Sequence, residues 1–274
     1  MNQIVIKSRL SYFVFVIVLV FLPRFGAAGI ISIDSTVSSS IRDGSAVITF
    51  KLYNNGDETA HDVEIEADFE EKKTIVRQDR LPAGSCMTKR FEYRRGFECS
   101  QMVVPLIARY KDQNRYPFSA VSYATVSFAS DSPRVFCKIE DVQMTQNGSL
   151  VLKMKSFDQK DHRIRLRIVA PQELTVRTPV KILSIPADTT IYESFEVQNF
   201  SALPPSIYTV LAVISEERPT GRYEHGYTGK VSIIHEKTVF DVLSYPFFAW
   251  GVAGLLLVYI GFQLYTLIHR KKVQ

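Results

Sequence analysis

Tryptophan occurs once in these 274 residues, cysteine three times and histidine five times. Three cysteines cannot build the dense disulfide framework of a small secreted scaffold. The single Trp250 lies in a C-terminal apolar run, which removes the exposed Trp platform expected of a carbohydrate-binding module. The histidines are scattered, and no Cys/His spacing resembles a zinc site. Also missing are a Gly-Xaa-Ser-Xaa-Gly elbow, a Gly-rich phosphate loop and a His-Glu-Xaa-Xaa-His pair. The chain therefore reads as a non-enzyme, with no catalytic, cofactor or metal site expected. No long helical pattern precedes the C-terminal run, which turns the expectation toward an all-β body.

What is present is a repeat. Leu81-Pro82-Ala83-Gly84-Ser85, followed by Phe91-Glu92, returns as Ile185-Pro186-Ala187-Asp188-Thr189, followed by Phe195-Glu196. His61-Asp62-Val63-Glu64-Ile65 lies against His162-Arg163-Ile164-Arg165-Leu166 at an offset of 101. The offset grows to 104 at the Pro-Ala segment and to 105 between Val126-Ser127-Phe128 and Val231-Ser232-Ile233. Small loop insertions between equivalent strands produce such a drift. Period-2 alternation recurs at matching places, as in Ile48/Phe50/Leu52 and Leu150/Leu152/Met154, which marks half-buried antiparallel strands. The turns Asn54-Asn55-Gly56-Asp57, Gln146-Asn147-Gly148 and Pro219-Thr220-Gly221 carry suitable residues. The expected fold is all-β: two tandem immunoglobulin-like β-sandwiches of about seven strands each, over 29–130 and 131–242, plus one C-terminal transmembrane helix.

The two ends carry address signals. Residues 1–28 combine Lys7 and Arg9, the apolar stretch Leu10 to Leu22, and Gly26-Ala27-Ala28, the three parts of a secretory signal peptide. An uncleaved membrane helix is the competing view, but the apolar stretch falls short of the roughly 20 residues that span a bilayer. Residues 247–268 lack charge and are long enough to span, and the basic tail 269–274 begins His269-Arg270-Lys271-Lys272. The expected topology puts both sandwiches outside a cytoplasmic membrane, in periplasm or at the cell surface, with the C-terminus cytoplasmic. The formal charge of +5 belongs to these ends. Without the three basic residues at each end, 27 basic residues face 28 acidic ones. The charge is a topology signal, and nucleic acid is not an expected partner.

Candidate interaction residues come from charge. Asp62, Glu64, Glu66, Asp68 and Glu70 form an acidic stripe on one strand face, and Arg163, Arg165 and Arg167 a basic stripe on the equivalent strand. Lys153 and Lys155 are expected beside the basic stripe on a neighbouring strand. Docking of one stripe on the other between molecules, or on a charged partner, competes with a plain reading as solvated faces. A second candidate is the loop from Arg218 to Tyr227, with Arg222, Tyr223 and Tyr227 as recognition residues; the plain reading is a hairpin tip. Cys86 and Cys99 flank a strand and are a candidate disulfide, leaving Cys137 as a buried thiol, a reactive one or an intermolecular partner. Asn147-Gly148-Ser149 and Asn199-Phe200-Ser201 are glycosylation sequons in a eukaryotic cell.

The string from Leu52 to Val63, containing Asn54, Gly56, Ala60 and Val63, together with Leu81-Pro82-Ala83-Gly84-Ser85, resembles the CARDB-type domains, immunoglobulin-like modules of bacterial and archaeal surface proteins. The second copy departs from that pattern, with Phe157-Asp158-Gln159 in place of the Asn-Gly turn and Asp188 in place of Gly84. The overall layout also resembles the translocon-associated beta-subunit family, which carries one sandwich rather than two. The resemblance implies a fold and no active site. The functional expectation is a membrane-anchored binding or scaffold protein whose sandwiches contact envelope or membrane proteins, with self-association among the candidates. The alternative is an accessory subunit of an envelope enzyme, transporter or translocon, contacting its complex mainly through the span. Gly251, Gly254 and Gly261 would let a second helix approach there.

Overall fold

The computed structural model describes residues 30–69, 72–94, 99–129, 132–235, 251 and 254–263. The expected signal segment 1–28, the tail 269–274, Glu70 and most of the expected span 247–268 lie outside them. Where the sequence alternates, strands form. The first half holds β1 (Ile33–Arg42), β2 (Ser45–Asn54), β3 (Ala60–Asp68), β4 (Lys73–Leu81), β5 (Cys86–Arg94), β6 (Cys99–Lys111) and β7 (Pro117–Ser127). The second holds β8 (Val135–Ile139), β9 (Val142–Met144), β10 (Asn147–Ser156), β11 (His162–Val169) and β12 (Leu174–Val176). It continues with β13 (Val180–Ile185), β14 (Thr190–Asn199), β15 (Ser206–Arg218) and β16 (Gly221–Ile233).

The chain is a mostly-β protein of sandwich-like sheets. In the first half, sheet β1-β2-β5 faces the strands β4-β3-β6, with β7 on the outer side of β6. In the second, β12-β14-β10-β8 faces β13-β11-β15-β16, and β9 pairs with β16. Apolar side chains from both layers meet between them. Phe50, Phe91, Ile65, Leu106 and Val126 belong to one core cluster, and Leu152, Phe195, Leu166, Val210 and Val231 to another. A short parallel pairing of Arg222 and Tyr223 on β16 with Cys99 and Gln101 on β6 joins the two four-strand layers, together with β9, into one nine-stranded sheet.

The repeated Pro-Ala segment is the corner where each half crosses from one sheet to the other. β4 ends at Leu81 and β5 begins at Cys86; β13 ends at Ile185 and β14 begins at Thr190. Leu81 and Ile185 are buried on one side of the corner, Phe91 and Phe195 on the other. Both turns need a left-handed residue, Gly84 at φ 67° and Asp188 at φ 48°. In each, a hydroxyl closes the turn: Ser85 Oγ donates to Pro82 O at 2.6 Å and Thr189 Oγ1 to Pro186 O at 2.8 Å. The preceding turn is tied to the same corner. Asn54 N donates to Ser85 O at 3.0 Å and Gly84 N to Asn54 O at 2.8 Å. The buried Asn54 amide adds bonds to Glu58 O at 2.7 Å and Leu81 O at 3.1 Å. The second half keeps the backbone pair with Ser156 and Asp158, through Ser156 N to Thr189 O and Asp188 N to Asp158 O, both 3.0 Å.

The expected Cys86–Cys99 disulfide is absent: both are free thiols, Cys86 exposed and Cys99 buried. Cys86 opens β5 and Cys99 opens β6. The chain runs the whole of β5, roughly 27 Å at the rise of a strand, before it turns back. A disulfide needs its Cα atoms within about 7 Å. Cys137 is buried in the second core, where loss of hydration pushes its thiol up to about 12. At neutral pH it carries almost no thiolate and is inert.

The corner gives a direct test. No atom lies within 4 Å of a Cβ built on Gly84, so a substitution there meets only the backbone penalty of positive φ. Gly84→Val should lower the unfolding free energy by about 2 kcal/mol in urea titration. Gly84→Asp, which copies the second half, should cost clearly less.

Candidate interaction surface

The outward faces of the two four-strand layers are turned toward each other. Along β6, Val104 and Leu106 point into the first core while Val103 points away from it. Along β15, Val210, Ala212 and Ile214 point into the second core while Leu211 and Val213 point away. Val103, Val121, Leu211 and Val213 are all buried and form a third apolar cluster, with Ile107, Tyr123 and Val169 packed against it. β6 and β15 are therefore covered on both faces. The fit is close where β16 meets β7. A Cβ on Gly226 would lie 2.7 Å from Tyr123 Cε2, and Tyr123 Oη donates to Gly226 O at 3.2 Å.

Polar groups surround this seam and are satisfied across it. The buried Glu173 carboxylate accepts from Ser119 N at 2.5 Å and Ser119 Oγ at 2.6 Å, while Ser119 Oγ accepts from Gln172 N at 2.9 Å. Burial raises the pKa of Glu173 above its ordinary 4.5, and the Ser119 hydrogen bonds oppose that shift without cancelling it. On the other flank, the Glu224 carboxylate, also buried, accepts from Val103 N at 3.0 Å, and Gln101 Nε2 donates to Glu224 O at 2.8 Å. Ser100 Oγ donates to Thr220 O at 2.7 Å, and Tyr116 Oη bonds Ser201 O.

The acidic stripe sits on this outer face but is matched inside the chain. Arg109 on β6 reaches Glu66 at 2.7 Å and Glu64 at 3.4 Å. From β4, Arg77 reaches Glu64 at 2.8 Å and Lys73 reaches Glu66 at 2.7 Å. Burial would raise the Glu66 pKa, but the Lys73 and Arg109 hydrogen bonds outweigh it and hold the carboxyl below its ordinary value. Asp62 departs from the row. It lies in a bulge with φ 50°, exposed, bonded to Lys111 at 2.9 Å. Asp68 pairs with Arg167 at 3.0 Å. That contact joins the two stripes, acidic half to basic half, within one molecule.

Arg163 and Arg165 remain exposed on β11. Lys153 and Lys155 do not join them. They lie on β10, which pairs with β14 and β8 in the opposite layer. The predicted Arg218–Tyr227 loop is a tight hairpin whose arms are strand: β15 runs to Arg218 and β16 starts at Gly221. Tyr223 is buried beneath Arg218, whose guanidinium lies 4.6 Å from the ring centroid. Arg222 lies against Glu224 at 3.6 Å. Tyr227 donates to Val135 O at 2.9 Å and packs edge-on to Phe136. These three side chains serve internal packing. Near them His162 Nδ1 lies 2.6 Å from Glu216, which also binds Arg218 at 2.6 Å, a buried charge group inside the second half. Among the described residues, no group of three or more His, Cys, Asp or Glu side chains could hold a metal ion.

Sequence reasoning missed Ser119, Glu173 and Glu224. Each is a single polar residue in an unremarkable context, and only the meeting of two distant segments gives it a role. A signal did exist for the seam itself. Met102-Val103-Val104-Pro105-Leu106-Ile107 and Val210-Leu211-Ala212-Val213-Ile214 break the period-2 alternation at equivalent places, as strands buried on both faces do.

No protein-family profile matches the chain, and no curated protein matches it. Among solved structures it is similar to red sea bream transglutaminase, with 8% identity and a TM-score of 0.27 over 76% of this chain and 31% of that one. It is also similar to native Escherichia coli alpha-2-macroglobulin, at 8% identity and TM-score 0.30, over 73% of this chain and 17% of that one. Salmonella alpha-2-macroglobulin reacted with methylamine gives 12% identity and TM-score 0.30, over 73% and 16%. The chain spans less than a third of each of these proteins. At such TM-scores the overlap carries no argument about this chain.

Two outcomes test the joint. Because the folded-state pKa of Glu173 is raised, its ionisation opposes folding: its contribution is intact below pH 4.5 and is lost as pH rises through the folded value. Glu173→Gln keeps an acceptor without the charge. Wild type should lose stability relative to this variant as pH rises above the carboxylate range, and the two curves should converge in acid. For Asp68 and Arg167, a double-mutant cycle with alanine should give a coupling of about 1 kcal/mol. The charge-swapped pair should recover most of it.

Proposed function

We propose that the chain is a membrane-anchored, extracytoplasmic binding or scaffold protein, built of two immunoglobulin-like sandwiches that act as one body. The observation that carries this reading is the helix at 254–263. Leu255, Leu257, Val258 and Phe262 on it are 73, 70, 71 and 64% exposed. A helix apolar around its circumference is stable when protein or lipid surrounds it. The sequence around it, 247–268 followed by a basic tail, supplies a span and its cytoplasmic stop. No helix among the described residues is by itself long and apolar enough to cross a membrane; the reading rests on the longer apolar run of the sequence.

The same two-layer strand arrangement in both halves supports the immunoglobulin-like part, with one departure from the constant-type order. In the constant-type arrangement the fourth strand pairs with the fifth. Here the fourth strand of the first half lies beside the third, β4 on β3, and the second half repeats that pairing with the counterparts β13 on β11. The CARDB-type resemblance fits the corner described above, since Asn54 and Gly56 lie in the turn bonded to the Leu81–Ser85 segment. Internal pairing and packing of the candidate charges and aromatics favour a scaffold over an enzyme. Arg163 and Arg165, exposed on β11, keep the basic stripe accessible to a charged partner.

A second reading has its own observation. Cβ atoms built on Gly251, Gly254 and Gly261 meet nothing within 4 Å, so another helix could approach closely there. The chain would then be an accessory subunit held by its span. Full-length chain should stay in the membrane pellet under alkaline carbonate, and a version ending at residue 235 should be released. Release of the full-length chain would end the membrane reading. Replacing 247–268 with an unrelated span should leave co-purifying proteins unchanged if the sandwiches make the contact. Their loss would favour the subunit reading.

A further inference from the structure

The second half exposes large apolar side chains at one end. Phe200 is 77% exposed, Leu203 47%, Ile207 70% and Ile234 43%. Register and hydrogen bonds place them together. Ser206 pairs with Ile233 at the β15–β16 end, Ile234 N donates to Met144 O at 2.9 Å, and Asn199 N donates to Gln146 O at 2.7 Å. The loop between them is held in shape. Asn199 binds Thr145 O and Ala202 O, each at 3.0 Å, and accepts from Ala202 N at 2.7 Å, while Phe200 N donates to Glu173 O at 2.9 Å. A braced loop that presents Phe and Leu outward keeps them from folding back into the core.

This is also the end from which the chain leaves for its C-terminal apolar run. Twelve residues, 235–246, separate Ile234 from Phe247. Fully extended, they reach roughly 40 Å. The exposed apolar loop is thus tethered close to any bilayer the run enters. We infer that Phe200 and Leu203, with Ile207 and Ile234 behind them, form a lipid-contacting foot that seats the second sandwich on the outer leaflet. The inference rests on the membrane reading above and adds an orientation to it. Apolar side chains at such a surface bury about 5–10 Å into the boundary between headgroups and acyl chains.

The test uses full-length protein with Cys86→Ser, since Cys99 and Cys137 are buried, reconstituted in phosphatidylcholine vesicles. An environment-sensitive fluorophore is placed by Phe200→Cys, by Val258→Cys on the helix, or by Phe157→Cys. Phe157 is 64% exposed but lies at the opposite end of the same half, beside Arg134. The label at 200 should shift to the blue and lose most of its emission to lipid-borne quenchers, as at 258, while the label at 157 stays solvent-like. A quenched 258 with a solvent-like 200 would overturn the foot and leave the membrane anchor standing. An unquenched 258 would sink the anchor and the foot together. A label at 200 that is shifted yet untouched by lipid quenchers would mean that a protein covers the loop, and would overturn the lipid assignment.

Discussion

The contact on which this molecule depends is the apolar packing of β6 and β7 against β11, β15 and β16. Fully burying an aliphatic side chain contributes about 1.5–3 kcal/mol. Val103, Val121, Leu211 and Val213 together supply at most about 12 kcal/mol. A partly exposed ion pair contributes about 1 kcal/mol or less. The apolar seam therefore holds the halves together, and Arg167–Asp68 with Ser119–Glu173 selects their register. The order matters because a seam of valine and leucine alone could slide. Buried carboxylates that must find particular N–H and O–H donors cannot.

The same face explains how a strand carrying so many like charges is tolerated. Glu64 and Glu66 are matched from both neighbours, β4 on one side and β6 on the other, with Arg109 shared between them. Cross-strand pairs of opposite sign stabilise a sheet where like charges would destabilise it. The equivalent strand of the second half, β11, has β13 and β15 as neighbours, and these set Ser184, Ile182 and Ser215 opposite Arg163 and Arg165. Equivalent strands have thus diverged in charge and in the residues set beside them. The acidic one is matched within its sheet, and Arg163 and Arg165 on the basic one are exposed to solvent.

Much of the architecture was legible in the residues. The Pro-Ala echo marks the corner because that turn needs a left-handed residue, a closing hydroxyl and a large apolar residue on each side. Few sequences meet all three by chance. The alternation Ile48/Phe50/Leu52 gave a strand with one buried face for the same physical reason. The site was less legible. Alternation correctly put Glu64, Glu66 and Asp68 on one face, but their partners Arg77, Arg109 and Arg167 lie 13, 45 and 99 positions away. Only the fold brings them near. Period-2 counting also assumed regular strand through Asp62, where a bulge changes the direction. It placed Lys153 beside Arg163 because consecutive strands often pair, whereas here β10 and β11 belong to different layers. Cys86 and Cys99 looked close because 13 residues is a short separation; an intervening straight strand makes it a long distance.

A stiff joint has a mechanical consequence. Were the halves connected only through residues 129–133, fixing one against a surface would leave the other free to swing. Here the β6–β7 hairpin reaches across, with Tyr116 bonded to Ser201 in the loop that carries Phe200. Ser119, three residues on, holds Glu173, whose carbonyl in turn binds Phe200 N and Ser201 N. The loop at the end of the second half is therefore braced by side chains of the first. Any force or ligand that displaces that loop strains the contacts that set the register between the halves. Conversely, loosening the seam removes the support that keeps Phe200 and Leu203 turned outward. The orientation of that loop and the angle between the sandwiches are then one variable, set by the same few buried groups.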